Sequence, residues 1–323
     1  MLLVAATTSG ALGAPLQYLT GASARAQPVV WLTWGVLLIS IIVIVIIAGL
    51  LLAAMLRRRA AADPLALLPD AGGHSWLWIG VGISTLVLLF TVVWTVVVLA
   101  RIQAPSVAPR VTIEITGHQW WWQVRYLAGD PALEFDTANE IHIPVGEPIR
   151  LKLVGGDVIH SFWVPQLAGK MDAIPGQINE TWIEASSPGT WTGQCTEYCG
   201  VQHAKMLLKV VADTPSGFAA WRAHQLAKPA AAAAAAAGQA VFESHCGNCH
   251  AVRGTAADGS FGPNLSHLMQ RRTLASASLP NDPETLAHWI ADPQILKPGN
   301  HMSQVALTGG ERRDLIAYLE SLN

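Results

Sequence analysis

Charged side chains are scarce in this chain of 323 residues: Asp, Glu, Lys and Arg make up 13%, whereas hydrophobic residues make up 51%. This excludes a wholly soluble protein, in which about one quarter of the residues are charged. Positive charge is not in excess either. Residues 105–215 contain 7 Lys and Arg against 12 Asp and Glu, a net charge of −5, and residues 239–323 contain 6 against 8, a net charge of −2. A nucleic-acid partner is therefore not expected.

Two long apolar runs account for the missing charge. Residues 31–56 and 76–100 contain no charged side chain, and each run is long enough to cross the roughly 30 Å of hydrocarbon in a bilayer. They predict a transmembrane helical hairpin within residues 31–104. A buried hairpin in a soluble core is the alternative, although uncharged runs of this length are uncommon in soluble proteins.

A basic cluster sets the orientation of the predicted hairpin. Arg57-Arg58-Arg59 follows the first run directly, in a short connection that reaches His74. Because positive residues favour the cytoplasmic side, this connection is predicted to be cytoplasmic and everything after Ala100 to lie outside. In a bacterium that location is the periplasmic face of the inner, or plasma, membrane.

The N-terminal segment, residues 1–30, has two readings. It contains a short apolar run, and Ala24-Arg25-Ala26 resembles a small-x-small cleavage site, but no basic region precedes them. A cleaved leader and a retained segment both stay open.

The pattern after the hairpin changes twice. Residues 105–215 show short segments with alternation or β-branched residues between turn residues, which predicts a β-sandwich or barrel. Its predicted strands are 111–115, 140–144, 149–153 and 206–211. Residues 216–238 contain a predicted helix over 218–226 and a run of eight alanines, which indicates a semi-rigid helical linker to a last domain of residues 239–323.

Two of only four cysteines fall in a segment rich in soft metal ligands. Cys195, Cys199, His203 and Met206 lie within twelve residues, and His160 is a further candidate. Thiolate and thioether sulfur atoms favour copper. Spacing alone leaves two alternatives open, a structural zinc site and a Cys195–Cys199 disulfide.

The other two cysteines form the sequence Cys246-Gly247-Asn248-Cys249-His250. C-x-x-C-H is the attachment signature of c-type haem, in which the two thioethers fix the porphyrin and the His binds the iron. A redox-active dithiol or half of a zinc site is the alternative for a C-x-x-C taken alone.

The soft-ligand segment resembles the binuclear copper A site of subunit II of haem-copper cytochrome c oxidases. The resemblance extends to residues 117–122, 157–162 and 170–176. In that family two Cys sulfur atoms bridge two copper ions, one His caps each ion, and a Met sulfur and a backbone carbonyl are weak axial ligands. Carried over to this chain, the ligands are His160, Cys195, Glu197, Cys199, His203 and Met206.

The same resemblance implies two further roles. The family places the Trp through which electrons enter directly after His-Gln, and this position is Trp120; Trp121 and Trp122 are then packing residues or subunit contacts. The Glu197 carboxylate would help to bind a magnesium ion shared with subunit I, and Asp172 is a weaker candidate at the same boundary. A solvent-exposed turn carboxylate is the alternative for Glu197.

The C-terminal segment resembles a small class I cytochrome c, on the haem motif, Gly262-Pro263-Asn264-Leu265 and Lys297-Pro298-Gly299-Asn300-His301-Met302. In such domains a Met after Lys-Pro-Gly is the second axial ligand of the iron, which implies Met302. The neighbouring His301 and the more distant Met269 are alternatives.

Together the resemblances imply a multi-domain membrane protein: a two-helix transmembrane hairpin, a cupredoxin-like β-barrel and an all-α cytochrome c domain. Such a chain is subunit II of a respiratory haem-copper oxidase. It relays electrons from a donor, a cytochrome bc complex or a soluble cytochrome c, through its haem c to copper A. They pass on to subunit I, where oxygen is reduced to water with proton translocation. Subunit III and membrane lipid are further expected partners.

Three rival classes differ in their ligands. Nitrous oxide reductase also has a copper A domain, but it needs a His-rich propeller that 11 histidines and a membrane hairpin cannot supply. Quinol oxidase subunits lack the copper thiols represented by Cys195 and Cys199. A membrane-anchored sensor with zinc or a disulfide in its barrel is the non-catalytic alternative.

One departure from the family concerns proton uptake. The family often has a Glu at the cytoplasmic start of the second span, where this chain has His74 and no carboxylate nearer than Asp70. His74 could relay protons because histidine titrates near neutral pH, and an interfacial His without that role is the alternative.

Overall fold

The computed structural model describes residues 16–57, 74–229 and 235–323. The chain divides into two units, Gln27–Ala104 and Pro105–Asn323, the second joined by the end of the N-terminal segment. Most of the predicted leader, the predicted cytoplasmic connection after Arg57 and most of the alanine run lie outside the described residues.

The smaller unit consists of two long helices, α1 (Ala26–Leu56) and α2 (His74–Ile102). At 1.5 Å per residue both exceed about 40 Å and can cross a bilayer. Their apolar side chains are largely exposed on the protein itself, as expected of helices that face lipid. The helices touch where α1 has a glycine: a Cβ at Gly35 would lie 2.2 Å from the ring of Trp94. Small residues allow this close approach of membrane helices.

The larger unit begins with a barrel of two five-stranded sheets. The first sheet has the order β3-β2-β1-β5-β8 and the second β4-β10-β9-β6-β7. The pairs β1–β5 and β4–β10 are parallel and the other pairs are antiparallel, so the chain crosses between the sheets repeatedly. The strands are β1 (Val111–His118), β2 (Trp121–Leu127), β3 (Phe135–Ala138), β4 (Glu140–Pro144), β5 (Ile149–Gly155), β6 (His160–Trp163), β7 (Met171–Ala173), β8 (Asn179–Ile183), β9 (Gly189–Cys195) and β10 (Leu207–Asp213).

Alternating side chains build the barrel core. In β1 the buried residues include Ile113 and Ile115, and in β5 they include Ile149, Leu151 and Leu153, so each strand turns every second side chain inward. This period of two is what places one face of a strand against a core. The core continues to the end of β9, where Cys195 is also buried.

Helix α3 (Pro215–Leu226) leads out of the barrel and packs against it. Its N-cap Thr214 accepts a hydrogen bond from the amide of Gly217, and Pro215 occupies the first turn, where its missing N–H costs nothing. The ring of Trp221 stacks on His142 with centroids 4.3 Å apart. The histidine in turn contacts Asp213 at 2.7 Å and Glu140 at 3.1 Å.

The last part of the chain is a small helical domain. α4 and α7 cross so closely that a Cβ at Gly238 would lie 2.0 Å from the carbonyl oxygen of Asp314, so only glycine fits there. Phe242 and Tyr318 meet beside this crossing. The elements are α4 (Ala236–His245), β11 (Thr273–Leu274), β12 (Leu279–Pro280), α5 (Pro283–Ala291), α6 (Pro293–Leu296) and α7 (Gly309–Glu320).

The architecture confirms the predicted fold class: two apolar helices, a cupredoxin-like barrel and an all-α domain. The exact domain boundaries given by the sequence stay predictions.

Candidate metal and haem centres

The two barrel cysteines lie at one end of the core. Cys195 ends β9, and Cys199 lies in the loop that connects β9 to β10. Their sulfur atoms are 3.8 Å apart and both residues are buried. This separation is well beyond the roughly 2.05 Å of a disulfide bond, and both thiols are free.

The pKa values of the two cysteines are shifted in opposite directions. A hydrogen bond between the sulfur atoms lowers the pKa of Cys195, and the same contact raises the pKa of Cys199. The pair therefore holds one proton tightly in the absence of a metal. A metal ion binds thiolates and would displace that proton, so metal binding should release acid.

His160 is oriented by a carboxylate. Its Nδ1 lies 3.8 Å from the sulfur of Cys195, and its Nε2 donates to Oδ1 of Asp157 at 2.8 Å. Asp157 also accepts hydrogen bonds from the amides of Gln119 and Val158. Although burial raises the pKa of Asp157, these hydrogen bonds hold it below its ordinary value. A carboxylate behind a histidine fixes its tautomer and leaves the other nitrogen free for a metal.

The remaining predicted donors lie on the same loop. The sulfur of Cys199 is 3.5 Å from Nδ1 of His203 and 3.8 Å from Sδ of Met206. The carbonyl oxygen of Glu197 lies 3.2 Å from the sulfur of Cys195. All six predicted copper ligands therefore converge. Two thiols, two imidazoles and a buried thioether fit copper, whereas a thioether is not among the usual ligands of structural zinc.

Trp120 supports this loop. Its indole Nε1 and the side-chain amide of Gln119 both donate to the carbonyl of Cys199, at 2.8 and 2.7 Å. The loop turns at Gly200 with a φ of +115°, and a Cβ there would lie 2.8 Å from the Trp120 ring. Trp120 is only 7% exposed. Its neighbours pack as the sequence suggests: the Trp122 ring contacts His160, and Trp121 stacks on His118.

A cavity of about 680 Å³ opens beside the haem motif. Cys246, Cys249 and His250 line it. Nδ1 of His250 lies 2.8 Å from the carbonyl oxygen of Pro263, which can only accept a hydrogen bond. Nδ1 therefore carries the proton and Nε2 is free. Burial lowers the pKa of His250, which favours the neutral imidazole that binds iron.

The same cavity contains two of the three candidates for the second iron ligand. His301 and Met302 both line the cavity, whereas Met269 packs against the core of the helical domain. Backbone contacts hold the Met302 segment: Met302 N donates to Asn300 Oδ1, and Gln294 Nε2 donates to Met302 O.

Arg271 is a cavity residue that the sequence analysis missed. Burial lowers its pKa to about 10, and its Nε has no hydrogen-bond partner in the structure. A guanidinium N–H that has no partner in the protein can donate a charge-assisted hydrogen bond to an anion. The apolar cavity, the two thiols and this cation together fit a haem with its carboxylate side chains. The position of Arg271 shortly after the Pro263-Asn264 motif was the only signal in the sequence for its place in the cavity.

The barrel also lines this cavity. Its contributing residues lie around the turn between β1 and β2, between β3 and β4, and in the loop after β5, near the candidate copper ligands. They are His118, Gln119, Trp120, Trp121, Asn139, Gly156 and Asp157. The fold and the two adjoining sites define a membrane-anchored electron-transfer protein.

The particular family follows from comparison with known proteins. Residues 127–213 match the family described as "Cytochrome C oxidase subunit II, periplasmic domain", and residues 235–323 match "Cytochrome c". "Cytochrome c oxidase subunit 2" of Alkalihalophilus pseudofirmus is 39% identical over 216 residues, which cover 66% of this chain and 61% of the relative. The protein of the same name from Bacillus sp. (strain PS3) is 31% identical over 258 residues, which cover 74% and 71%. The chain belongs to the cytochrome c oxidase subunit 2 family and carries a C-terminal cytochrome c domain.

One solved structure is also similar to part of the chain. The periplasmic domain of subunit II of the cytochrome oxidase of Bradyrhizobium japonicum is 36% identical, covering 38% of this chain and 96% of that one, with a TM-score of 0.34. The chain spans 61% and 71% of the lengths of the two curated relatives. The chain thus belongs to an electron-transport family, with a barrel of the copper-binding kind and a helical domain of the haem-binding kind.

Proposed function

We propose that this chain receives electrons from an external donor on its cytochrome domain and passes them through the barrel to subunit I of the oxidase. When bound, the haem and the copper pair supply one-electron redox chemistry. The convergence of the six donor atoms, three of them sulfur, is the observation that carries this proposal. Oxygen reduction and proton translocation belong to subunit I, since the donors here are numerous enough to saturate the ions and leave no position for oxygen.

The residues have distinct tasks in this relay. Cys246 and Cys249 would attach the porphyrin, and His250 and Met302 would hold the iron. In the barrel, Asp157 orients the first of the copper ligands, His160. The others are Cys195, Glu197 through its carbonyl, Cys199, His203 and Met206. Four of these residues, His160, Cys195, Cys199 and Met206, are buried, so they would hold the metal in a fixed arrangement, as suits electron transfer.

Trp120 is proposed as the residue through which electrons reach the copper site. It joins the two halves of the relay, because its indole donates to the carbonyl of Cys199 while its ring lies 5.4 Å, centroid to centroid, from that of His301. The carboxylate of Glu197 is proposed as a magnesium ligand at the boundary with subunit I. Subunits I and III, a cytochrome bc complex or soluble cytochrome c, and lipid are the proposed partners.

Metal analysis and electron paramagnetic resonance of the purified protein test the proposal. We expect two copper ions and one haem per chain, and a signal in which one unpaired electron is shared by two copper nuclei. The signal should persist after mild chelation, since both thiols, His160 and Met206 are buried. Zinc in place of copper, or a disulfide between Cys195 and Cys199, would instead support the sensor class and end the oxidase assignment for this site.

The proposed location is the inner membrane of a bacterium, with both redox domains in the periplasm. A reporter enzyme that is active only outside the cytoplasm should work when fused after Asn323 and fail when inserted near Pro69, because the basic cluster after α1 retains that connection inside. Activity of the reporter on a colony assay measures this directly. The reverse pattern would contradict the orientation and the exported attachment of haem.

A further inference from the structure

Lys297 is a buried lysine between the cytochrome domain and the barrel, and burial lowers its pKa to about 7. It is 4% exposed. Its Nζ donates to the carbonyls of Trp120 at 2.8 Å and Lys205 at 3.1 Å, both on the barrel, and to that of Ala275 at 3.2 Å, on the cytochrome domain. The three N–H groups of an ammonium thus meet three acceptors. No carboxylate in the described part of the chain forms an ion pair with it.

The segment of the cytochrome domain that accepts from Lys297, residues 275–277, also contacts the barrel. Ala275, Ser276 and Ala277 have φ values of 51°, 62° and 55°, a left-handed conformation that three consecutive non-glycine residues rarely adopt. Such conformations persist where the surroundings determine them. Here Ser276 exchanges two hydrogen bonds with the backbone of Leu207, at the start of β10. The contact is therefore a built interface with directional bonds on both sides.

Lys297 also begins the segment that carries the proposed iron ligand, which we call the Met302 loop (residues 297–302). The other end of the loop places His301 against the ring of Trp120. Lys297 also donates a hydrogen bond to the carbonyl of Trp120. The Met302 loop therefore contacts both the backbone and the ring of this tryptophan. The Trp120 indole then contacts the carbonyl of Cys199, a proposed copper ligand.

We propose that Lys297 is a positioning residue for electron transfer between the domains: its ammonium group fixes the Met302 loop on Trp120, so that no domain motion precedes transfer. The inference rests on the proposed function, since it assigns how the two sites of that relay are kept together. The contact acts within one chain, where the short linker already makes the effective concentration of the domain high, and Lys297 selects one orientation from those the linker allows.

The test measures electron transfer in the assembled oxidase. A ruthenium photoreductant would deliver one electron to the haem, and absorbance would follow its passage to copper at increasing glycerol concentrations. In the parent oxidase we expect one fast phase that does not depend on viscosity. In Lys297→Met, a slower phase that does depend on viscosity should appear, with the docking equilibrium weakened by about tenfold to a hundredfold, the effect of losing hydrogen bonds to a charged group.

The matched control is Lys209→Met. Lys209 is a partly buried lysine whose Nζ donates to Thr192 within the barrel, so its loss should leave a single, viscosity-independent phase. The far-red band of the ferric haem should be unchanged in both variants, because Lys297 acts on docking and not on iron ligation.

Four outcomes would overturn the inference. They are a viscosity-dependent phase in the parent oxidase, parent-like kinetics in Lys297→Met, equal slowing in Lys209→Met, or loss of the far-red band in Lys297→Met. The first is measured without any variant, so the test does not depend on how Lys297→Met folds. A parent haem that passes no electron to copper at all would overturn the relay itself, which separates failure of the proposed function from failure of the Lys297 role alone.

Discussion

Cys199→Ser should abolish copper binding while the haem stays attached and reducible. The sulfur of Cys199 lies within 3.8 Å of three other proposed donors, those of Cys195, His203 and Met206. Its removal takes one of the two thiolates from the proposed copper site. Changes behind a metal ligand already cost about tenfold to a hundredfold in metal affinity, and the loss of a shared ligand should exceed that.

The measurements are copper content, paramagnetic resonance and the rate at which the assembled oxidase reoxidises reduced haem. We expect no shared-electron copper signal and slow reoxidation, with a normal haem spectrum, since the two sites have no ligand in common. Tyr198→Phe is the matched control: Tyr198 lies in the same loop but is 75% exposed, and its hydroxyl is not a proposed ligand. Unchanged reoxidation in Cys199→Ser would show that electrons leave the haem by another route.

The sequence anticipated the metal site because most of its ligands are local. Four donors come from one twelve-residue segment, where the chain needs only one loop between two strands to gather them. His160, 35 residues before Cys195, was a further candidate, and the family resemblance gave it the role of a ligand. Its partner Asp157 was not assigned a role, because a carboxylate three residues before a histidine has no distinctive pattern until the turn between them is formed.

The strands that the sequence predicted are those with clear alternation or many β-branched residues. The segment 140–144 coincides with β4, and 149–153 lies within β5. Six strands were not predicted: β2, β3, β6, β7, β8 and β9. Of these, β6 and β7 have four and three residues and are too short for alternation to register. The apolar runs predicted both membrane helices, although α1 begins five residues earlier, at Ala26, and α2 extends from His74 to Ile102 and includes Arg101.

The docking of the cytochrome domain could not be read from the sequence. Lys297 contacts a carbonyl 177 positions away, and the motif around it indicated only haem ligation. The left-handed turn at Ala275-Ser276-Ala277 contains no glycine, so nothing in its residue types predicts its conformation. Such contacts depend on the tertiary arrangement of two domains, each of which has its own core.

This docking also changes how the candidate relay is understood. Trp120 was predicted from the family as the residue through which electrons enter, a role that suggests an accessible surface. In the structure the ring is nearly buried, beneath Lys297 and His301 of the cytochrome domain. A separate donor protein would therefore meet the cytochrome domain first, which agrees with a haem that serves as the receiving site.

Met302→Leu should remove the far-red charge-transfer band of the ferric haem and lower its reduction potential, because a thioether opposite histidine raises the potential of the iron. The loop should keep its shape. Its bonds from Gln294 and Asn300 go to the backbone of residue 302, which leucine retains. The porphyrin stays covalently held through Cys246 and Cys249, so the haem content should not change.

Redox titration and far-red absorbance measure this effect, and haem reduction by the donor should slow in parallel. Met269→Leu is the matched control, since Met269 packs in the helical core away from the cavity and its replacement conserves volume. A band retained in Met302→Leu would contradict the assignment and transfer the ligand role to Met269. Absence of the band from the parent protein would point to His301 instead, which lines the same wall of the cavity beside Trp120.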